Sequence, residues 1–87
     1  PQSQFVARIL QARIKLLDLV EREQRNEFGQ FDDLVGQTLL EKGRLFQKLK
    51  QLAKAELAVR KAKDIFIRND SAKVQDCDTL LKNISKN

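Results

Sequence analysis

Residues 36–69 read GQTLLEKGRLFQKLKQLAKAELAVRKAKDIFIRN, and the architecture turns on whether this stretch is one helix or two. It holds no proline, and its only strong helix-weakening residues are Gly36 and Gly43. Apolar residues keep a helical spacing from Leu39 to Phe66. Leu45, Leu52, Val59 and Phe66 recur every seven positions, with Ala55 and Ala62 three residues after Leu52 and Val59. That is an a/d seam with alanine at d, where small side chains let helices pack closely. Because the seam runs straight through Lys50-Gln51, it predicts one long helix over about residues 31–67. The alternative is a break near residue 50, which would fold the segment back into two comparable helices.

The same residues carry a local resemblance. Leu39, Gly43, Phe46, Leu49, Leu52, Ala55, Val59 and Ala62 fall in the order of a tetratricopeptide repeat, a 34-residue helix-turn-helix unit. The resemblance covers residues 36–69 only and a single repeat. It implies two antiparallel helices approaching closely across the small residues, with Lys50 at the turn where that family usually has glycine.

Upstream, the spacing predicts a first helix over about residues 4–27. Apolar residues are dense from Phe5 to Val20, Ser3 is placed to cap the start, and Gly29 sits where a left-handed residue would end it. The apolar stripe is wider than a coiled-coil seam, which predicts that this helix contacts two neighbours rather than one. Asp32-Asp33 mark the restart of the chain near a positive helix end. Downstream, Asn69-Asp70-Ser71 favour caps over helix interiors and predict a last helix over about 71–85, with Val74, Cys77, Leu81 and Ile84 on a narrow stripe.

The 87 residues hold one domain, 13 leucines, three glycines and one proline, too few turn residues for a β-sandwich or barrel. With no histidine and one cysteine, no intrachain disulfide, Cys/His zinc site or Ser-His or Cys-His pair can form. Asp32-Asp33 and Asp76-x-Asp78 lack the glycine and terminal glutamate of a calcium loop, and no glycine-rich phosphate loop is present. Glu21, Glu23 and Glu27 interleave with Arg22 and Arg25, which reads as surface ion pairing rather than acid–base machinery. Cys77 falls on the apolar stripe of the last helix, as a small core residue. No cofactor or metal and no enzymatic activity are expected.

The net charge of +5 is concentrated, since residues 48–69 hold seven basic and two acidic groups. On a continuous helix Lys50, Lys54, Lys61 and Arg68 share one face opposite the leucine seam, as a row of point charges suited to phosphates. The first 17 residues carry Arg8, Arg13 and Lys15, no acidic group, and an apolar side, the pattern of an interfacial helix as well as of a core helix. The chain opens on Pro1 rather than methionine and is expected to be a fragment of a larger protein. One unpaired cysteine suits an intracellular, reducing compartment.

These features predict an all-α fold, a three- or four-helix bundle or antiparallel helical coiled coil. The expected function is non-enzymatic: a protein–protein interaction or assembly module within a larger complex. Its apolar area exceeds what its own helices can bury. Leu45, Leu52, Ala55, Val59, Ala62 and Phe66 are the expected partner interface, taking another protein helix or a second copy of the chain. The alternative is a basic surface, residues 48–68, that binds nucleic acid or an anionic membrane through Lys50, Lys54, Lys61 and Arg68.

Overall fold

A computed structural model describes residues 3–86 as four helices without strands: α1 (Gln4–Phe28), α2 (Asp33–Lys48), α3 (Leu52–Arg68) and α4 (Val74–Ser85). The all-α bundle read from the sequence is the observed class. The Cα extents are 38 × 29 × 16 Å, and the thin dimension leaves room for two layers of helix at the usual spacing of about 8–10 Å.

The helix ends follow from local chemistry. Ser3 caps α1 by accepting a hydrogen bond from the Val6 N–H at 3.1 Å, and Asp32 caps α2 by accepting from the Leu34 N–H at 2.9 Å. Gly29 ends α1 at φ 96° and ψ 161°, a positive φ outside the left-handed helical region that its position suggests. The last helix begins at Val74, because residues 71–73 form a turn in which the Ser71 hydroxyl accepts from the Lys73 N–H.

The long helix over residues 31–67 is not formed. The chain breaks at Leu49–Gln51 through a Schellman motif. The Lys50 N–H donates to the Gln47 carbonyl and the Gln51 N–H reaches back to the Phe46 carbonyl, both at 2.9 Å. Lys50 itself adopts φ 62°, a left-handed position that costs a lysine about 1 kcal/mol. The end of α3 repeats the device with Asp70 at φ 54°, where the Ser71 N–H reaches the Phe66 carbonyl at 2.9 Å.

Folding back is repaid by a close antiparallel packing of α2 on α3. Gly36 faces Phe66 and Gly43 faces Val59, pairings that step in opposite directions along the two helices. Val35, Leu39, Leu40, Ala55, Val59, Ala62, Ile65 and Phe66 fill the interface, and Cys77, Leu80 and Ile84 of α4 close its far side. Lys63 of α3 pairs with Asp78 of α4 at 2.7 Å. A second, smaller cluster joins α1 to α2: Leu10 and Ile14 bury against Leu45, flanked by Leu17, Phe46 and Leu49. The four seam residues therefore do not share one seam. Leu45 belongs to the α1 side, whereas Val59 and Phe66 belong to the hairpin core.

Candidate interaction surface

The residues expected to meet a partner are mostly covered by the chain itself. Leu45, Ala55, Val59, Ala62 and Phe66 are at most 2% exposed, and Leu52 is half-buried at the edge of the same core. This corrects the proposed interface: once the chain reverses at Lys50, α2 and α3 supply each other's partner.

A row of exposed apolar side chains lies on α1 instead. Phe5 is 72% exposed, Leu16 61% and Leu19 55%, with Val6 and Ile9 also open to solvent. Phe5, Ile9, Ala12, Leu16 and Leu19 are spaced 4-3-4-3, and at about 100° per residue they fall within roughly 80° of arc. Leu10, Ile14 and Leu17, which pack on α2, lie on the other side of the helix. The wide stripe thus resolves into two rows, and the expectation of two neighbours meets only one. Among the described residues no Cα of α1 comes within 8 Å of α3 or α4.

Charge surrounds that row. At 100° per residue Arg8, Lys15 and Arg22 border one side and Arg13 the other, and no acidic residue occurs between Ser3 and Leu17. Farther along the same meridian the row ends at Glu23.

The inner side of α1 is held by a polar clasp. Lys42 of α2 pairs with both Asp18 and Glu21, the latter at 2.9 Å, and Glu21 also accepts two bonds from Arg25 at 2.7 and 2.9 Å. The buried Thr38 hydroxyl donates to Gln24 Oε1 at 2.7 Å. Burial alone would raise the Glu21 carboxyl, but the bonds from Lys42 and Arg25 outweigh it and hold the group below its ordinary range. Burial alone would likewise lower the Lys42 ammonium, but its bonds to Asp18 and Glu21 hold it above its ordinary range. Of the glutamates at the end of α1 only Glu21 joins this clasp, and its second cation comes from a helix 21 residues away, a pairing that no local pattern reveals.

The basic row is rearranged rather than abolished. Lys50 sits in the turn, off the face of α3, while Lys54, Lys61 and Arg68 remain exposed at seven-residue spacing. Lys54 lies 6.0 Å from the centroid of the Phe46 ring. Arg68 is paired with Asp64 at 3.1 Å and stacks 4.0 Å over Phe31, and the neighbouring Asn69 amide donates to the Phe31 carbonyl and to Asp33, clasping the end of α3 to the start of α2. Open depressions between α1 and α3, floored by Leu39 and Phe46 of α2, bring Arg25, Arg60 and Lys61 near one another.

Cys77 is fully buried, and burial, with the nearby Asp78 and Asp76 carboxylates, pushes its thiol up to about 11. Such a thiol is protonated and shielded, the reverse of a nucleophile's setting. No group of three or more potential metal ligands gathers among the described residues, and no helix there is long and apolar enough to cross a membrane. No protein-family model matches the chain, and no curated protein or solved structure matches it.

Proposed function

We propose that the chain is a non-enzymatic helical interaction module that takes another protein's helix along the outer row of α1. The observation that carries this reading is a helix with two apolar faces and one neighbour. Leu10 and Ile14 are buried against α2, while Phe5, Ile9, Leu16 and Leu19 stand in solvent. A peripheral helix whose only task was to cover α2 would be polar on that outer face. Contiguous exposed apolar surface of this kind marks association sites, and the 4-3-4-3 spacing suits a helix rather than an extended peptide. A single buried thiol agrees with an intracellular, reducing setting.

The test is binding of a labelled helical peptide with leucine at a and d and neutral glutamine at e and g, followed by fluorescence anisotropy. Saturable binding that Leu16→Glu abolishes and Leu57→Glu leaves intact is expected. Leu57 is the control because it is as exposed as Leu19 but lies on α3. Binding that ignores Leu16→Glu would overturn the assignment of the face.

A second reading rests on Lys54 and Lys61, which have no carboxylate within 4 Å among the described residues. They would contact the phosphates of a nucleic acid or anionic membrane. Affinity would then fall steeply between about 50 and 200 mM salt, and Lys54→Glu/Lys61→Glu would remove it while the fold persisted.

A further inference from the structure

We infer that the partner of α1 is an acidic amphipathic helix, rather than a second copy of this chain. This rests on the reading that the outer row takes a helix, and it adds the chemistry of that helix.

The heptad frame of the row supplies the argument. With Ile9 and Leu16 at a, and Phe5, Ala12 and Leu19 at d, the flanking e and g positions hold Val6, Arg8, Arg13, Lys15, Val20, Arg22 and Glu27. Six turns of helix thus present four cations and one anion to whatever lies alongside, and the anion stands past the end of the apolar row.

A second copy meets this frame badly in either direction. In a parallel pair g faces the following e, which sets Arg8 against Arg13 of the other copy beside the apolar row, while the one attractive pair, Arg22 with Glu27, stands beyond the end of that row. In an antiparallel pair that aligns the apolar rows, g faces g and e faces e. Arg13 then meets Arg13, Lys15 meets Lys15, and Arg8 meets Arg22. Like charges across such a seam act against the pairing. A helix with glutamate or aspartate at those positions converts each of these contacts into an attractive one.

A lipid surface fits less well than an acidic helix. Glu23 lies on the meridian of Phe5 and Leu16, and Glu27 lies about 40° from it. On an anionic bilayer both carboxylates would face the headgroups. Ala12 at the centre of the row removes bulk where a flat surface gains from it, whereas a small d residue admits a neighbouring helix closely.

The experiment uses the whole chain and three labelled 28-residue helical peptides that share leucine at a and d and differ only at e and g, with glutamate, glutamine or lysine there. Anisotropy titrations are run at 50 and 300 mM salt. The expected result is at least tenfold tighter binding of the glutamate peptide than of the lysine peptide at low salt, with the ratio shrinking at high salt. The triple variant Arg8→Glu/Arg13→Glu/Lys15→Glu should reverse the order while its circular dichroism matches that of the parent chain.

Equal affinity for the three peptides, lost in Leu16→Glu, would overturn the acidic preference and leave the helix-binding reading standing. Failure of all three peptides would overturn both. Two further measurements place the other occupants. Dimerisation at micromolar concentration that Leu16→Glu abolishes would assign the row to a second copy and overturn the inference. Co-sedimentation with phosphatidylcholine–phosphatidylserine vesicles, lost in Leu16→Glu with no peptide binding, would assign it to a lipid surface and overturn it equally.

Discussion

Gly43 lies so close to Val59 that a Cβ at position 43 would come within 2.5 Å of the valine Cγ2 and 3.5 Å of the Ala55 carbonyl oxygen. The valine is fully buried, so it has nowhere to move. Gly43→Ala gains up to about 1 kcal/mol of helix propensity but overpacks the interface by about 1–3 kcal/mol. The expected net result is a loss of stability, seen as a melting temperature lowered by several degrees. An alanine variant more stable than the parent would contradict the close approach of α2 and α3.

Lys50→Gly is expected to act in the opposite direction. Lysine occupies the left-handed position of the Schellman motif at φ 62°, and glycine adopts that conformation without a Cβ penalty. A gain of up to about 1 kcal/mol in chemical denaturation is expected. Asp70→Gly, at φ 54°, should gain less, because aspartate tolerates this region better than lysine.

The faces of α1 are separable by two substitutions only two residues apart. Ile14 is 8% exposed against α2, and Leu16 is 61% exposed. Ile14→Glu places a charge in the α1–α2 cluster and should sharply reduce stability, whereas Leu16→Glu should change it by no more than about 0.5 kcal/mol. Thermal melts that agree for the two variants would mean that the helix is rotated from the orientation described.

The clasp at Lys42 makes stability depend on pH in two windows. Glu21 is held below its ordinary value of 4.5, so its contribution is full above that pH and is lost as pH falls through the lowered value. Lys42 is held above its ordinary 10.5, so its contribution is full below that pH and is lost as pH rises through the raised value. Lys42→Met should remove the alkaline window and blunt the acid one, measured as melting temperature from pH 3 to 12.

Cys77 should resist labelling. With the thiol pushed up to about 11 and no exposed surface, reaction with an aromatic disulfide reagent at pH 8 must wait for the core to open. The labelling rate is expected to track denaturant concentration and to be far below that of the unfolded chain.

How far these features were legible in the sequence varies with the range of the interactions behind them. The start of α1 and the start of α2 rest on Ser3 and Asp32, whose side chains bond backbone groups two or three residues away, and such ends can be read locally. The turn at Lys50 is made by backbone hydrogen bonds around a residue that ordinarily favours helix, so composition does not mark it. The seven-residue recurrence of Leu45, Leu52, Val59 and Phe66 pointed the wrong way, because equal spacing along a chain does not survive its reversal. The small residues Gly43, Ala55 and Ala62 did point to close helix packing, which depends on their size and not on any repeat family. For α1, periodicity showed one wide apolar stripe rather than two rows, with Arg8, Arg13 and Lys15 on its other side, and the expected partner interface lay on Leu45–Phe66 instead. Periodicity could not say which part of that stripe the chain would cover, since that depends on where α2 lies.

The attachment of α1 through a single neighbour also bears on how the molecule opens. Its cluster of Leu10, Ile14 and Leu45 is separate from the core that α2, α3 and α4 build around Phe66, with Phe46 shared between them. Detaching α1 exposes only the smaller cluster, so amide protons in α1 should exchange with solvent at a lower free-energy threshold than those of the hairpin. A helix bound along the outer row would resist that detachment only to the extent that it also orders α1 itself, because it makes no contact with α2. Protection gained in α1 on binding, without a matching gain in α3, would be the thermodynamic signature of a peripheral helix clamped between two partners, one permanent and one exchangeable.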